Sequence, residues 1–368
     1  MKISRVETIT IRHSWGEPHE GVTREWPLVL IHTDGGPTGV GRGGNIDTIE
    51  QDLAPLIVGE DPRRIAMLWE RMYEAVWRVR GPVMGGMASI GAIDIALWDI
   101  LGKSCGEPIW RLLGGYRDSV PAYADGIGYV PQSPETVASL VKKHAGLGYK
   151  AVKFHLYTHD DEAAVVKVKL SREALGPDLK LMVDAHRTWH GSRAVEMVRR
   201  FEPYNLFWIE EPVRQDDEPA YLRMVREATS ALVAGGESEG TLYGVRRLIT
   251  DGGLQVVQTD IIGGGGYTGL MRIAALAEAH HVYVAPHGAQ FPEINCHLVA
   301  GVPNGLMVSA CPDVEPYEIW SKLYNPSFRV VDGQIQMTDR PGLGLDLNED
   351  FIAEHRVEAP IQQSHPGR

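Results

Sequence analysis

From about residue 119 onward, short apolar runs alternate with amphipathic stretches of roughly ten residues. That rhythm predicts βα units and a parallel sheet. The apolar runs place strands at 120–124, 151–154, 179–183, 206–209, 232–234, 254–258, 282–285 and 306–309. Helical spacing between them is clearest over 135–145, 161–175, 192–201, 221–228 and 268–279. Eight strands with intervening helices predict an α/β fold, a modified (β/α)8 TIM barrel, with a doubly wound open sheet as the alternative. The first third reads differently. Residues 26–33 are β-rich, 34–37 supply turn residues and 38–41 resume as in a hairpin. Helical patterns follow over 45–56, 63–77 and 87–103, the last with Ile90, Ile93, Leu97 and Leu101 near helical spacing. Three segments result: an N-terminal α+β module over 1–118, the barrel over 119–323, and an irregular segment over 324–368. The last is expected to fold back on the module and to end in a loose tail after about residue 357.

In a closed barrel the polar residues that end the strands share one mouth. Strand three ends at Asp184, strand four at Glu210 and strand five at Glu237, separated by 26 and 27 residues, one βα unit each. Carboxylates crowded together repel unless a cation sits among them, and hard oxygen donors suit Mg²⁺ or Mn²⁺. One such acid would read as a helix cap; three in register favour a metal. Strand six ends near Asp260 and strand seven at His287, again 27 residues on. A carboxylate there can orient an imidazole that serves as base and then as acid.

Strand two ends in Lys153-Phe154-His155, and alternation turns Lys153 and His155 toward the interior. A lysine so placed answers a carboxylate or enolate charge; the other reading is a surface lysine at a frayed strand end. His186, two residues after Asp184, also faces the mouth, as a general acid or as a structural imidazole bonded to a carboxylate. The glycine run 263–266 lacks the Gly-Lys-Ser/Thr of a phosphate loop and predicts a tight turn near the site.

Composition narrows the partners. The 368 residues are 43% hydrophobic, enough for a large core, and carry a formal charge of −12. That sign excludes a polyanion, so no nucleic acid is expected, and an anionic ligand then needs a metal or a local cation. Three cysteines without regular spacing, Cys105, Cys296 and Cys311, argue for a reducing, cytoplasmic setting. The first residues lack an apolar core of signal length. The most apolar window, 90–101, is interrupted by Asp94 and Asp99, so no membrane span is expected.

The ordered motifs resemble a family. Gly148-Tyr149-Lys150-Ala151-Val152-Lys153, Trp208-Ile209-Glu210-Glu211-Pro212, Gly236-Glu237, and Asp260-Ile261 through Gly265-Gly266-Tyr267-Thr268-Gly269 are similar to the mandelate racemase subgroup of the enolase superfamily. So is the stretch from Ser89 to Asp99 followed by Leu112-Leu113-Gly114-Gly115. The resemblance implies a capping domain over the barrel, Mg²⁺ (or Mn²⁺) on Asp184, Glu210 and Glu237, and a His287–Asp260 dyad. It also implies an N-terminal loop over about 14–24 that closes on substrate, with Trp15 and His19 as contacts, and a homo-oligomer, dimer or octamer. Asp184-Ala185-His186 and Ala285-Pro286-His287 resemble the galactonate, gluconate and mannonate dehydratases. By that likeness the ligand is a small sugar acid. His287 takes the C2 proton, on the R face, Lys153 stands beside the carboxylate, and His186 protonates the departing C3 hydroxyl. Two positions depart from the racemases: Lys153-Phe154-His155 replaces Lys-x-Lys, and Ser309 stands where they carry a strand-eight Glu. His155 leaves a racemase or epimerase open, Glu315 or Glu318 are candidates to replace that Glu, and a non-catalytic barrel is the remaining alternative.

Overall fold

The computed structural model describes residues 1–14, 23–80, 84–128, 130–214, 219–310, 322–326 and 328–357. Its N-terminal module is an antiparallel sheet of β1 (Ile3–Ser14), β2 (Thr23–Thr33) and β3 (Gly39–Arg42) backed by helices. The apolar pattern does not mark β1, because a register shift between Ile3 and Arg5 turns Ile3 to the opposite face from Ile9 and Ile11, and Arg5 and Glu7 interrupt the alternation between them. A π-helical turn, Thr48–Leu53, leads into α1 (Ala54–Ile57), α2 (Ile65–Arg80), α3 (Met84–Cys105) and α4 (Ile109–Leu112). By length and composition α3 could cross a membrane, but 78% of that apolar window is buried within the fold. It is the module's core helix. Glycines let it lie directly on β3: a Cβ at Gly39 would stand 2.1 Å from the Ala96 carbonyl oxygen, and one at Gly41 1.9 Å from that of Ala92.

The second body is a ring of parallel strands: β4 (Ser119–Ile127), β5 (Ala151–His155), β6 (Lys180–Asp184), β7 (Trp208–Glu210), β8 (Leu232–Gly235), β9 (Val256–Val257), β10 (Tyr283–Val284) and β11 (Val308–Ser309). Neighbours pair in that order, β11 pairs with β4, and a single bridge from Val284 to Gly305 closes the ring. This is the predicted (β/α)8 architecture, and the open sheet is excluded. Its helices are α5 (Pro134–Gly146), α6 (Asp161–Leu175), α7 (Gly191–Phe201), α8 (Ala220–Ala228), α9 (Leu242–Thr250), α10 (Gly266–Ala279) and α11 (Pro292–Gly301). The periodicity left α9 and α11 unmarked. Every residue of α11 is buried, so its pattern shows no polar face.

Each strand contributes one side chain to an apolar layer inside the ring: Tyr123, Ala151, Met182, Trp208, Ala234, Val256, Ala285 and Met307. Tyr123 and Trp208 meet edge to face, 5.2 Å between centroids. This layer plugs the barrel below the site.

The module grips the barrel at one helix end. Trp69 Nε1 donates to the Gly265 carbonyl (2.7 Å), Trp98 Nε1 to Thr268 Oγ1 (3.0 Å), and Asp94 Oδ2 accepts from the Thr268 N–H (3.0 Å). The glycine run therefore turns tightly, as expected, and also serves as the joint. After the barrel come β12 (Tyr324–Asn325), β13 (Gln334–Gln336), β14 (Asp346–Leu347), α12 (Glu349–His355) and β15 (Arg356–Val357). β13 pairs with the barrel strand β4 and β15 with β1, so this segment touches both bodies.

Candidate active site

Side chains on a strand repeat every second residue. Two residues beyond each member of the apolar layer stand Asp125, Lys153, Asp184, Glu210, Gly236, Gln258, His287 and Ser309. The apolar plug thus carries a polar layer directly above it. Lys153 is its hub, 1% exposed. Its Nζ donates to Glu210 Oε1 at 2.6 Å and lies 3.3 Å from Asp125 Oδ2 and 3.9 Å from Asp184 Oδ2. Its charge is answered here by the protein's own carboxylates. The other oxygen of Glu210 accepts from Gln258 Nε2 (2.7 Å) and Trp208 Nε1 (3.2 Å).

His155 is equally buried, and both of its nitrogens are engaged. Nε2 lies 3.0 Å from Asp125 Oδ1; Nδ1 lies 2.7 Å from His186 Nε2 and 3.1 Å from Asp184 Oδ2. Each nitrogen thus has a partner from the protein itself. Ser309 Oγ donates to Asp125 Oδ2 at 2.8 Å. Asp125 is the site residue that the sequence reading missed. The apolar run on the first strand stops at Ala124, but the strand continues through an irregular register to Ile127. The two-residue period counted from Tyr123 would have found it.

The turn after β6 is tightly wound. The His186 N–H donates to Asp184 Oδ1 (2.8 Å), and His186 and Arg187 both adopt positive φ, 48° and 58°. For non-glycine residues that conformation carries strain, here held by the surrounding contacts. Arg187 then reaches Glu211 Oε2 (2.9 Å) and Glu237 Oε1 (3.1 Å). Glu210, the first of the two adjacent glutamates, points into the barrel, while Glu211 serves Arg187. Across the ring, His287 Nδ1 stands 3.6 Å from Asp260 Oδ2 and its Nε2 3.3 Å from Glu237 Oε2. Asp260 Oδ1 in turn caps the N–H groups of Ile262 and Gly263 at 2.8 and 3.0 Å. Trp15, His19, Glu315 and Glu318 lie outside the described residues.

Electrostatics set the protonation pattern. Burial opposes charge on His155, but the hydrogen bonds and charges of Asp125 and Asp184 overcome it and lift its pKa to about 9. Burial likewise opposes charge on His287, and Asp260 with Glu237 lifts it to about 9. Burial lowers His186, with the Asp184 charge working against it. Burial also raises Asp184 and Asp125; the charges and hydrogen bonds of His155 and Lys153 reverse this and hold both well below the usual carboxylate range. Glu210 goes the other way. Burial and the charges of Asp184 and Asp125 push it up to about 7, despite Lys153.

That last shift tests whether the site fits a cation. Six carboxyl groups (Asp125, Asp184, Glu210, Glu211, Glu237 and Asp260) crowd against four basic groups, Lys153, Arg187, His155 and His287. The acids outnumber the bases, and a divalent ion beside Glu210 would relieve the crowding of carboxylates that raises it. Glu210 pairs in register with Asp184, so two hard oxygen donors stand on adjacent strand ends, with Glu237 following β8. The donors suit Mg²⁺. Among the described residues, His155, Asp184 and His186 also bring three ligating atoms within 4.8 Å of one another.

Known proteins share this architecture. The profile of the mandelate racemase / muconate lactonizing enzyme N-terminal domain matches residues 16–114, and the "Enolase C-terminal domain-like" profile matches 135–351. A 3,6-anhydro-alpha-L-galactonate cycloisomerase of Streptomyces coelicolor is 34% identical over 89% of this chain and 91% of its own. A D-galactonate dehydratase of Pectobacterium atrosepticum is 31% identical over 91% and 92%. A mandelate racemase/muconate lactonizing enzyme from a marine actinobacterium, crystallised in complex with magnesium, superposes with a TM-score of 0.87 at 30% identity, covering 97% of this chain and 99% of its own. The chain belongs to the mandelate racemase/muconate lactonizing enzyme family of the enolase superfamily.

Proposed function

We propose that the protein is a Mg²⁺-dependent hydro-lyase that dehydrates a sugar acid, an aldonate or aldarate, to its 2-keto-3-deoxy acid. One observation carries the reading. His287, backed by Asp260, follows the seventh strand of an eight-strand ring and His186 follows the third, so base and acid would stand on opposite sides of one mouth.

Asp184, Glu210 and Glu237 would hold the ion, which when bound supplies positive charge where the substrate carboxylate becomes more negative. His287 takes the C2 proton at its imidazole. To do so it must be neutral, and ligation of Glu237 removes one of the two carboxylates that hold it protonated. The electron pair from C2–H forms the C2–C3 double bond, the C3–O bond breaks, and His186 supplies the proton with which hydroxide leaves as water. The resulting enol tautomerises to the keto acid. His155, protonated and 2.7 Å from His186, stores the proton that His186 must hold. The protein's assembly as a homo-oligomer and its small-molecule partner belong to the same proposal.

The cycloisomerase relative favours a second outcome of the same half-reaction, in which the C–O bond broken lies within a ring and the mass is retained. Incubation of a sugar-acid library with Mg²⁺ in D₂O separates them. Dehydration gives a semicarbazide-positive product that has lost water, at a rate abolished by chelation and restored by Mg²⁺. His287→Asn should lose both turnover and deuterium exchange at C2. Turnover that survives chelation, or C2 exchange that survives His287→Asn, refutes the assignment; loss of optical rotation without keto acid indicates a racemase.

A further inference from the structure

The sequence singles out His155, and the proposed reaction gives it only a supporting part. Its surroundings fit a second chemistry. His155 Nδ1, His186 Nε2 and Asp184 Oδ2 form a triangle with sides of 2.7, 3.1 and 3.6 Å. Two donors each about 2.1 Å from a common ion stand about 3.0 Å apart at a right angle and about 3.4 Å apart at the tetrahedral angle. The three sides bracket those values. The triangle is one face of a coordination sphere.

We propose that His155, Asp184 and His186 form a second divalent-metal site, which takes a borderline transition ion such as Zn²⁺, Co²⁺ or Ni²⁺ through two imidazole nitrogens and one carboxylate oxygen. Two imidazoles with one carboxylate suit such ions, whereas Mg²⁺ prefers oxygen throughout. The orienting partners that metal-bound histidines use are in place. His155 presents Nε2 to Asp125 at 3.0 Å, which turns Nδ1 to the metal face, and Asp125 is itself fixed by Ser309 at 2.8 Å and Lys153 at 3.3 Å. Asp184 is oriented too. Its Oδ1 accepts the His186 N–H, so Oδ2 is the oxygen turned to both rings. Three positions are therefore set by two adjacent strand ends, β5 and β6, and the turn that follows β6, with a third strand, β4, supplying the outer carboxylate.

An ion here engages the side chain proposed as general acid and one oxygen of a proposed Mg²⁺ ligand. It holds the enzyme inactive even when Mg²⁺ is abundant. The binding site does not depend on the dehydratase reading; its inhibitory effect rests on it.

The test reads ligation, not turnover. Wild-type protein in excess Mg²⁺ is titrated with Co²⁺, and the complex is examined by visible d–d absorption and X-ray absorption fine structure. The expected result is one Co²⁺ per chain with two imidazole ligands. Asp125→Asn should weaken Co²⁺ binding about 10–100-fold, the range for removing an outer partner of a metal-bound histidine. His155→Phe should weaken it further, with circular dichroism confirming that each variant is folded. Co²⁺ ligated by oxygen alone or by a single imidazole overturns the proposal, as does no binding, or equal affinity in folded His155→Phe. The wild-type spectrum decides the matter even if neither variant folds. A chain that dehydrates no sugar acid yet binds Co²⁺ through two imidazoles refutes the function and leaves this site standing.

Discussion

Replacing Arg42 with methionine should cost about 3–5 kcal/mol of stability at pH 7, the range for removing one partner of a buried ion pair. Arg42, on β3 of the N-terminal module, donates to Glu293 Oε1 in the first turn of α11 at 2.6 Å, with side-chain exposures of 0% and 1%. Methionine keeps much of the stem volume and removes the charge. Glu293 is then buried beside no cation. Burial already pushes its pKa up, and Arg42 is the principal opposing influence. Without it, the carboxyl escapes by taking up a proton. Protonating a group of ordinary pKa 4.5 at pH 7 costs about 3 kcal/mol, at about 1.4 kcal/mol per pH unit. That limits the charge penalty and gives it a sign. The mutant's Glu293 has a raised folded pKa, so stability is lost as pH rises, and the deficit should shrink to about 1 kcal/mol near pH 5. Arg42→Met with Glu293→Met should recover most of the loss, since an apolar pair can replace a buried ion pair.

The same change reaches the site. Arg42 lies 4.6 Å over the Phe291 ring, the Phe291 N–H donates to the Gly288 carbonyl, and Asn295 Nδ2 donates to the carbonyls of His287 and Gly288. The loop that carries His287 is thus fastened from below by the other domain. Urea unfolding followed by circular dichroism at pH 7 and pH 5 measures the effect. A deficit under about 1 kcal/mol at pH 7, or one equal at both pH values, would refute the reasoning.

Two further outcomes follow from buried contacts. His297 accepts the Trp110 N–H at Nδ1 (3.2 Å) and lies 3.1 Å from the Leu343 carbonyl through Nε2, so it is neutral with its proton on Nε2. Burial drops its pKa from an ordinary 6.5 to about 4, so its contribution is complete above about 6.5 and is lost as pH falls toward 4, to a total of about 3 kcal/mol; an imidazole NMR titration at or above 6.5 would disprove this. At Gly91 a Cβ would stand 2.1 Å from the Ile262 carbonyl oxygen, whereas at Gly146 nothing lies within 4 Å. Gly91→Ala should therefore lower stability by about 1–3 kcal/mol and Gly146→Ala by less than about 0.5 kcal/mol in thermal unfolding, and equal effects would sink the account of the joint.

The sequence by itself determined the strand count, the run of βα units and the acids and imidazoles near the strand ends, while closure into a ring came from the pairing of β11 with β4. Those follow from local periods: two residues per repeat along a strand, and about one βα unit between Asp184, Glu210 and Glu237. It could not decide which of these side chains answer one another. A list of strand ends gives Lys153 a carboxylate or enolate to answer, and the structure shows it paired with Glu210 and Asp125. His155 looks like a second base, yet Asp125 and His186 occupy both nitrogens. Asp125 was hidden by an irregular register on β4, and Arg42 by 251 residues of chain between it and Glu293. Those pairings depend on strand register around a closed ring and on how a second domain seats against it. Both are long-range geometry. A local period fixes which way a side chain points, and only the assembled barrel fixes what it meets there.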